Sequence, residues 1–270
     1  MKSGFVSIIG RPNTGKSTLI NTLIKEKIAI VSNVAGTTRN TIQGVYHDKD
    51  TQIVFVDTPG IHKASDKLGK HLNKQSYESL EDIDAILFLV DAANGLGKGD
   101  RFIMEALKHT SVPVILVLNK IDKLTSEGIL KAITNYKDLF DFADIIPISA
   151  LKKDNVDRLI EITKKYLKDT IKYYEDDVIT NNDPHFMITE LVREKILNLT
   201  TDEVPHSITC ILTQYKEKSS LIEIAVDIIV TRDSLKKIII GKQGQMLKTI
   251  GMQARKDIEM MLKKPVYLEL

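Results

Sequence analysis

A glycine-rich stretch near the start of the chain carries residue types that bind phosphate. Residues 10–17 read Gly-Arg-Pro-Asn-Thr-Gly-Lys-Ser and match the spacing G-x-x-x-x-G-K-S. A strand pattern precedes them and a helical pattern follows, so loop N–H groups and a helix start can face one anion. We expect Lys16 to reach the outer phosphates and the Ser17 hydroxyl to hold Mg²⁺. The predicted phosphate site comprises Gly10, Arg11, Pro12, Asn13, Thr14, Gly15, Lys16, Ser17 and Thr18.

A second stretch ends an apolar run and adds a carboxylate. Asp57-Thr58-Pro59-Gly60 follows the apolar residues 53–56. An aspartate there can support the Mg²⁺ shell, and the Gly60 N–H can contact a γ-phosphate. In isolation the same four residues also form an ordinary capping turn. The residues added to the phosphate site are Asp57, Thr58, Pro59, Gly60 and Ile61.

Two further stretches predict which base is bound. In Asn119-Lys120-Ile121-Asp122, the Asp122 carboxylate can accept both N–H groups on the guanine edge, a pair that adenine lacks. Asn119 suits the other edge of the base, and the Lys120 stem can pack over the ring. Ser149, Ala150 and Leu151 follow another apolar strand, where N–H groups could meet the guanine carbonyl, although this stretch alone is also typical of an ordinary strand-to-helix turn.

The elements that position these motifs alternate between strand and helix patterns. Such alternation predicts an α/β domain with a mostly parallel sheet and helices on both faces. Asp48-Lys49-Asp50 is short enough for a hairpin, which predicts one antiparallel edge strand. Strands are predicted at 5–10, 42–47, 51–57, 84–91, 112–118 and 144–148, and helices near 16–25, 67–80, 99–110, 126–138 and 154–168.

The composition changes at residues 173–183, which are acidic, rich in asparagine and without periodicity. We predict a nucleotide-binding domain over 1–172, a linker and hinge over 173–183, and an α+β domain over 184–270. The second domain reads as helix, strand, strand, helix, helix, strand.

A G-x-x-G turn joins the last two helices of the second domain. Turns of this kind let the backbone press against sugar-phosphates of single-stranded RNA. Residues 232–264 hold nine basic and three acidic residues in a chain of net charge +2, which is a local footprint for phosphates. A solvated helix face is the plainer interpretation of the same charges. The predicted RNA-binding residues are Ile240, Gly241, Lys242, Gln243, Gly244, Lys248 and Arg255.

These motifs resemble those of known families. GRPNTGKST, DTPGIHK, NKID and SAL resemble the translation-factor-related GTPases, and RDSLKKIIIGKQGQMLKTIG resembles a type II KH domain. Together they resemble the Era family, of the TrmE-Era-EngA-YihA-Septin-like superfamily, over essentially the whole chain. The resemblance implies a GTPase that binds 16S-type ribosomal RNA near its 3′ end and assists maturation of the 30S subunit. It also implies a bacterial or organellar protein.

The resemblance implies further roles at the nucleotide site. Thr38, within Gly36-Thr37-Thr38-Arg39, is implied as a Mg²⁺ ligand that closes on the γ-phosphate. With it, Ser17 and Asp57 complete the predicted metal set. GTP would thereby close residues 32–41 and 57–70 and change how the KH domain is presented.

Catalysis is expected to be slow. Ile61 stands where many such enzymes have a glutamine that orients water, so intrinsic turnover of about 10⁻⁴ to 10⁻² s⁻¹ is expected. Some relatives hold K⁺ with a loop asparagine, which Asn13 matches, although Asn13 could equally stabilise its own loop. The implied catalytic residues are Lys16, Thr38, Gly60 and Asn13.

Composition bounds the setting. Cys210 is the single cysteine, so no internal disulfide is expected, and neither a signal peptide nor a bilayer-spanning run is apparent. A cytoplasmic monomer is expected, with peripheral contact to an inner membrane left open. The family's last strand usually continues into a basic, aromatic-containing tail with a helix, whereas this sequence stops at Glu269-Leu270. The sequence is either trimmed or that of a short member, which leaves the tail-dependent RNA contacts open.

Other functions fit parts of the pattern. The chain could be an RNA-binding assembly factor in which GTP is mainly a structural ligand, or a different KH-containing GTPase switch. An ATP-using small-molecule kinase is disfavoured by Asn119 and Asp122.

Overall fold

The computed structural model describes residues 1–34, 36–61, 72–74, 76, 82–201, 204 and 207–270. Its contacts divide the chain into two compact units. The first contains residues 1–29 and 38–181, and the second contains residues 30–37 and 182–270. Most of the helix predicted at 67–80, and residues 62–70 of the segment predicted to close over GTP, lie outside the described residues.

The first unit is built around a sheet of six strands. They are β1 (Lys2–Ile9), β2 (Ile42–His47), β3 (Thr51–Asp57), β4 (Ala85–Asp91), β5 (Val114–Asn119) and β6 (Asp144–Pro147). Their order is β2-β3-β1-β4-β5-β6, and among the described strands of this sheet only the β2–β3 pairing is antiparallel. The predicted parallel sheet with one antiparallel edge strand is thereby confirmed.

Helices cover both faces of this sheet. Numbered over the described residues, they are α1 (Lys16–Ile24), α2 (Lys98–Leu107), α3 (Ser126–Lys137) and α4 (Val156–Thr163). Successive residues of β4 belong alternately to two buried apolar clusters, as expected for side chains that point to opposite faces of a strand. One cluster includes Leu19 of α1 and Leu159 of α4; the other includes Ile103 of α2 and Tyr136 of α3.

The parallel strands bring the predicted motifs to one edge. β1, β3, β5 and β6 run in the same direction, so their carboxyl ends meet at the same side of the sheet. Ligands of open α/β sheets bind at that side, in the crevice outside the strand ends. The loops at 10–17, 57–61, 119–122 and 149–151 all begin there.

Much of the predicted linker packs along the β2–β3 edge. The Gln52 side-chain carbonyl accepts the N–H groups of Tyr173 at 2.7 Å and Tyr174 at 3.0 Å. The Val45 N–H donates to the Ile179 carbonyl at 2.9 Å. These contacts cover the open edge of β2, which would otherwise present unpaired backbone groups. The domain boundary within 173–183 stays a prediction.

The second unit has the element order predicted for a KH domain. Its elements are α5 (Pro184–Leu199), β7 (Ile208–Glu217), β8 (Ile222–Val230), α6 (Asp233–Ile240), α7 (Gln245–Leu262) and β9 (Val266–Glu269). β8 pairs antiparallel with β7 and parallel with β9. Asp183 caps α5 by accepting the His185 N–H at 2.8 Å, and Pro184 occupies the first helical turn, as the sequence predicts.

Within the part of the chain that the structure describes, no helix is both long enough and apolar enough to cross a bilayer.

Candidate functional site

The loop between β1 and α1 forms a cradle around a buried lysine. The Lys16 ammonium donates to the carbonyls of Gly10 at 3.3 Å and Arg11 at 3.2 Å. Burial lowers the pKa of Lys16, and the nearby Asp57 carboxylate opposes that shift. Gly15 has φ +99°, and a Cβ there would lie 2.4 Å from the Asn119 side-chain nitrogen. Only glycine therefore fits this turn, which places an ammonium group at the start of α1 where phosphate is expected.

Oxygen atoms from three separate segments converge beside the cradle. The Ser17 hydroxyl donates to Asp57 Oδ2 at 3.0 Å and lies 2.9 Å from Thr38 Oγ1. Burial raises the pKa of Asp57 to about 6, against the opposing effects of Lys16 and of a hydrogen bond from Ser17. The other oxygen of Asp57 is buried with no hydrogen-bond partner among the described residues. Hydroxyl and carboxylate oxygens are the donors that Mg²⁺ prefers, so these residues fit the predicted ion.

Asp122 is held in place by a neighbouring loop. It lies in a short 3₁₀ turn, Ile121–Lys123, and its Oδ1 accepts the Ser149 hydroxyl at 2.5 Å. Ser149 is fully buried, while Asp122 is exposed. The carboxylate is thus oriented before any base arrives, at an exposed position that a ligand can reach.

Asn119 ties the base loops to the phosphate loop. Its side-chain nitrogen donates to the Thr14 carbonyl at 2.8 Å, and its side-chain oxygen accepts the Ala150 N–H at 3.0 Å. The sequence predicts a base contact for Asn119, and the structure adds this bridging role. Ala150 is buried at this junction, and Leu151 is 69% exposed.

Lys120 reaches across to the phosphate loop, and sequence reasoning missed its partner. Its ammonium donates to the Asn13 carbonyl at 2.6 Å and to Asp91 Oδ2 at 2.7 Å. Asp91 also accepts the N–H groups of Ala93 and Asn94. The sequence did contain a signal for Asp91, because this residue ends an apolar strand just as Asp57 does.

Replacing Asp91 by alanine is expected to weaken nucleotide binding about tenfold and to destabilise the fold by about 2 kcal/mol. The reason is that Lys120 loses its ionic partner and the 93–94 turn loses its acceptor. Titration with a fluorescent guanine nucleotide and a urea melt measure the two effects. Asp138, an exposed carboxylate at the end of α3, gives a matched Asp→Ala control. Unchanged nucleotide affinity in the Asp91 variant would show that Lys120 needs no such support.

The Arg11 side chain is committed to structure. Its Nε donates to Asp100 Oδ1 at 2.7 Å, and Asp100 is fully buried. Asp100 also accepts the Gly97 N–H at 2.8 Å and the Tyr136 hydroxyl at 3.1 Å. Arg11 therefore contributes its main-chain groups to the phosphate loop, while its guanidinium links the loop to the start of α2.

Two residues of the 57–61 stretch are likewise engaged within the protein. The Thr58 hydroxyl donates to the Ile8 carbonyl at 3.1 Å. Ile61 is fully buried in an apolar cluster, and its N–H donates to the Gly10 carbonyl at 3.1 Å. Its side chain has no polar atom with which to position a water, and the slow rate of hydrolysis stays a prediction.

The predicted RNA-binding residues lie at the turn between α6 and α7 and along α7. Gly241 ends α6, a 3₁₀ turn spans Lys242–Gly244, and Gly244 precedes α7. The side chains of Lys242 and Gln243 are exposed, and Ile240 is 37% exposed. On α7, the exposed residues Lys248 and Arg255 are two turns apart and share a face.

Comparisons with known proteins agree with both halves of this description. A model described as 50S ribosome-binding GTPase matches residues 5–120, and a KH domain model matches residues 203–270. A crystal structure of Era in complex with MgGDPNP and nucleotides 1506–1542 of 16S ribosomal RNA is 42% identical. That match has a TM-score of 0.96 and covers 100% of this chain and 92% of that chain.

A second solved structure extends the similarity. A variant of Aquifex aeolicus Era bound to GDP and AlF₄⁻ is 42% identical, with a TM-score of 0.95, and the match covers 100% of this chain and 93% of that chain. Both similarities run through the nucleotide-binding loops and the G-x-x-G turn alike. This chain therefore belongs to the Era family of GTPases, with a P-loop GTPase domain followed by a KH domain.

Proposed function

We propose that this chain binds GTP with Mg²⁺, hydrolyses it slowly, and binds 16S-type ribosomal RNA near its 3′ end during 30S maturation. The observation that carries the proposal is the shared sheet edge, where the Ser17–Thr38–Asp57 oxygens and the Asp122–Ser149 pair lie on adjoining loops. The exposed G-x-x-G turn and the relative solved with 16S ribosomal RNA support the RNA part. We further propose that it acts in the cytoplasm as a monomer; contact with a membrane stays a prediction.

The residues of the nucleotide site have different proposed roles. Lys16, now held by loop carbonyls, would transfer its donors to the phosphate oxygens, and the Gly60 N–H would meet the γ-phosphate. Ser17, Thr38 and Asp57 would hold Mg²⁺, which supplies positive charge where phosphate charge develops. With Ile61 buried, positioning of the attacking water falls to other groups.

We propose that Asn13 supplies one such group by holding K⁺. It is exposed at the tip of the phosphate loop with φ +65°, a backbone conformation that asparagine tolerates better than most residues. Its main-chain carbonyl accepts the Lys120 ammonium at 2.6 Å, so the side-chain amide oxygen is the atom that we propose for the ion. A monovalent cation there would add charge beside the phosphates.

The proposed function is tested by GTP turnover in K⁺ or Na⁺, with and without a fragment of 16S ribosomal RNA from the 3′ end. K⁺ is expected to raise kcat by about tenfold over Na⁺, and Asn13→Ala is expected to abolish that difference. Asn135→Ala, the same change at an exposed position of α3, is the control. An Asn13→Ala variant with full activity and full K⁺ sensitivity would leave Asn13 with only a loop-stabilising role. GTP binding without turnover under any condition would favour the alternative in which GTP is a structural ligand.

A further inference from the structure

A buried carboxylate at the start of α2 is held by two helices of the first unit. Asp100 is fully buried, and its Oδ2 accepts the Gly97 N–H at 2.8 Å and the Tyr136 hydroxyl at 3.1 Å. A carboxylate in the first turn of a helix also faces the positive end of the helix dipole. Burial, and then the Asp100 charge, raise the pKa of Tyr136, so its hydroxyl stays protonated and donates. The position of this carboxylate is therefore set by α2 and α3, without help from the phosphate loop.

The other oxygen of Asp100 holds the Arg11 side chain. Arg11 Nε donates to Asp100 Oδ1 at 2.7 Å, and Arg11 Nη2 donates to the Gly95 carbonyl at 3.4 Å. The aliphatic part of Arg11 lies against the first turn of α2, since a Cβ at Gly99 would be 2.5 Å from Arg11 Cδ. The missing side chain at Gly99 thus leaves the space that the arginine occupies.

The main chain of Arg11 in turn supports groups that are expected to meet phosphate. Its carbonyl accepts the Thr14 hydroxyl at 3.0 Å and the Lys16 ammonium at 3.2 Å. The same carbonyl shares a planar peptide unit with the Pro12 nitrogen. Gly60 lies close to that nitrogen, because a Cβ at Gly60 would be only 2.8 Å from it. A shift of the Arg11 main chain would therefore move the support of Lys16 and the surface that Gly60 contacts.

Hydrogen bonds thus connect Tyr136 to Asp100 and Asp100 to Arg11, and all three residues belong to the first unit. We propose that Asp100, held by Tyr136, is a positioning residue of the GTPase site that fixes the phosphate loop through the Arg11 guanidinium. The proposal rests on the GTPase function above and gives α2 and α3 a part in GTP turnover. Because Lys16 and Gly60 are expected at the outer phosphates, losing this support should affect GTP more than GDP.

A double-mutant cycle tests whether Asp100 acts through Arg11. Asp100→Asn, Arg11→Met and the combined variant are compared for kcat, for affinity toward a non-hydrolysable GTP analogue and for GDP affinity. Asp100→Asn is expected to lower kcat about tenfold, with GDP affinity within about threefold of the original. A purely structural role would lower the melting temperature without this difference between GTP and GDP.

In the Arg11→Met background, Asp100→Asn is expected to change kcat by less than about twofold, because the guanidinium that Asp100 holds is already gone. Fully additive losses in kcat would overturn the proposal, since Asp100 would then act independently of Arg11.

The hydroxyl of Tyr136 is tested with Tyr136→Phe, which keeps the ring and removes one hydrogen bond. A fall in kcat of about threefold is expected. Tyr166→Phe is the matched control, because the Tyr166 hydroxyl also donates to a carboxylate, Asp144 Oδ2 at 2.7 Å, at the start of β6. Equal effects of the two substitutions on kcat would contradict the part assigned to Tyr136.

Gly99→Ala tests the connection without removing a charge, and it decides the question if Asp100→Asn fails to fold. The added Cβ would displace Arg11, whereas alanine itself favours the helix. We expect kcat to fall about fivefold and the melting temperature to stay within about 3 °C of the original. Gly128→Ala is the control, since Gly128 lies in the first turn of α3 and an added Cβ there stays 3.4 Å or more from other atoms.

The Gly99→Ala result also separates this proposal from the proposed function. An original kcat in that variant would overturn the proposal and leave the GTPase function standing. An unsubstituted chain that never hydrolyses GTP would overturn both.

Discussion

Replacing Asp122 by asparagine is expected to lower the affinity for GTP by about a hundredfold to a thousandfold and to create affinity for XTP. The carboxylate can accept two N–H groups of guanine, whereas an amide presents one acceptor and turns its NH₂ toward a donor. Xanthine carries an oxygen where guanine carries its amino group, so the NH₂ of the Asp122→Asn side chain would gain a hydrogen-bond acceptor. Competition of GTP, XTP and ATP against a fluorescent GDP measures all three affinities in one assay.

The hydrogen bond from Ser149 sharpens this test. Because its hydroxyl donates to Asp122 Oδ1 at 2.5 Å, Ser149→Ala should cost about tenfold in GTP affinity without any gain for XTP. Asp138→Asn is the matched control, since it makes the same chemical change at an exposed site. An Asp122→Asn variant that still prefers GTP would remove the basis for guanine specificity.

Gly244→Asp is expected to weaken binding of a 3′-terminal 16S ribosomal RNA fragment by about a hundredfold. The carboxylate would stand in the G-x-x-G turn, where phosphates are expected to approach. Gly244 has φ +76°, which aspartate tolerates better than most residues, and no atom lies within 4 Å of the position of an added Cβ. The loss should therefore come from charge rather than from a steric clash. Fluorescence anisotropy across a salt series measures the affinity and its salt slope.

Gly95→Asp supplies a close control for that variant. Gly95 has φ +66° and also has open space at its Cβ position, but it belongs to the first unit. The same charge at the same kind of backbone position should leave RNA affinity within about twofold of the original. Equal losses from both substitutions would indicate a general effect of charge, and intact RNA binding by Gly244→Asp would refute the role of the turn.

The main elements could be predicted because their signals are local. Apolar runs of strand length mark β3, β4 and β5, and the glycines and polar residues that follow them mark the loops. Asn119 and Asp122 were predicted as base contacts in this way. The bridge from Asn119 to Thr14 was not, because it joins residues 105 positions apart and leaves no periodic trace in the sequence.

Side chains that could serve either a ligand site or the fold were harder to predict from the sequence. Arg11 lies in the phosphate loop, yet its guanidinium pairs with Asp100, which is 89 positions away. Glu190 and Arg193 have the spacing of an ordinary surface pair on a helix, so nothing in the sequence marks them as buried. Arg193 donates to the Thr37 carbonyl, within residues 30–37, which the contacts assign to the second unit and the sequence pattern assigns to the first.

The second unit is thus discontinuous along the chain, and this affects how the protein is made. During synthesis, residues 30–37 leave the ribosome long before α5 does, and domains generally fold in order from the N-terminus. Until α5 has emerged, the Val31 N–H lacks its acceptor, Glu194 Oε1, and the Thr37 carbonyl lacks its donor, Arg193 Nη2. A nascent chain arrested before residue 182 would accordingly hold residues 30–37 without these partners, so the segment should gain its hydrogen bonds to α5 only as the last third of the polypeptide is completed.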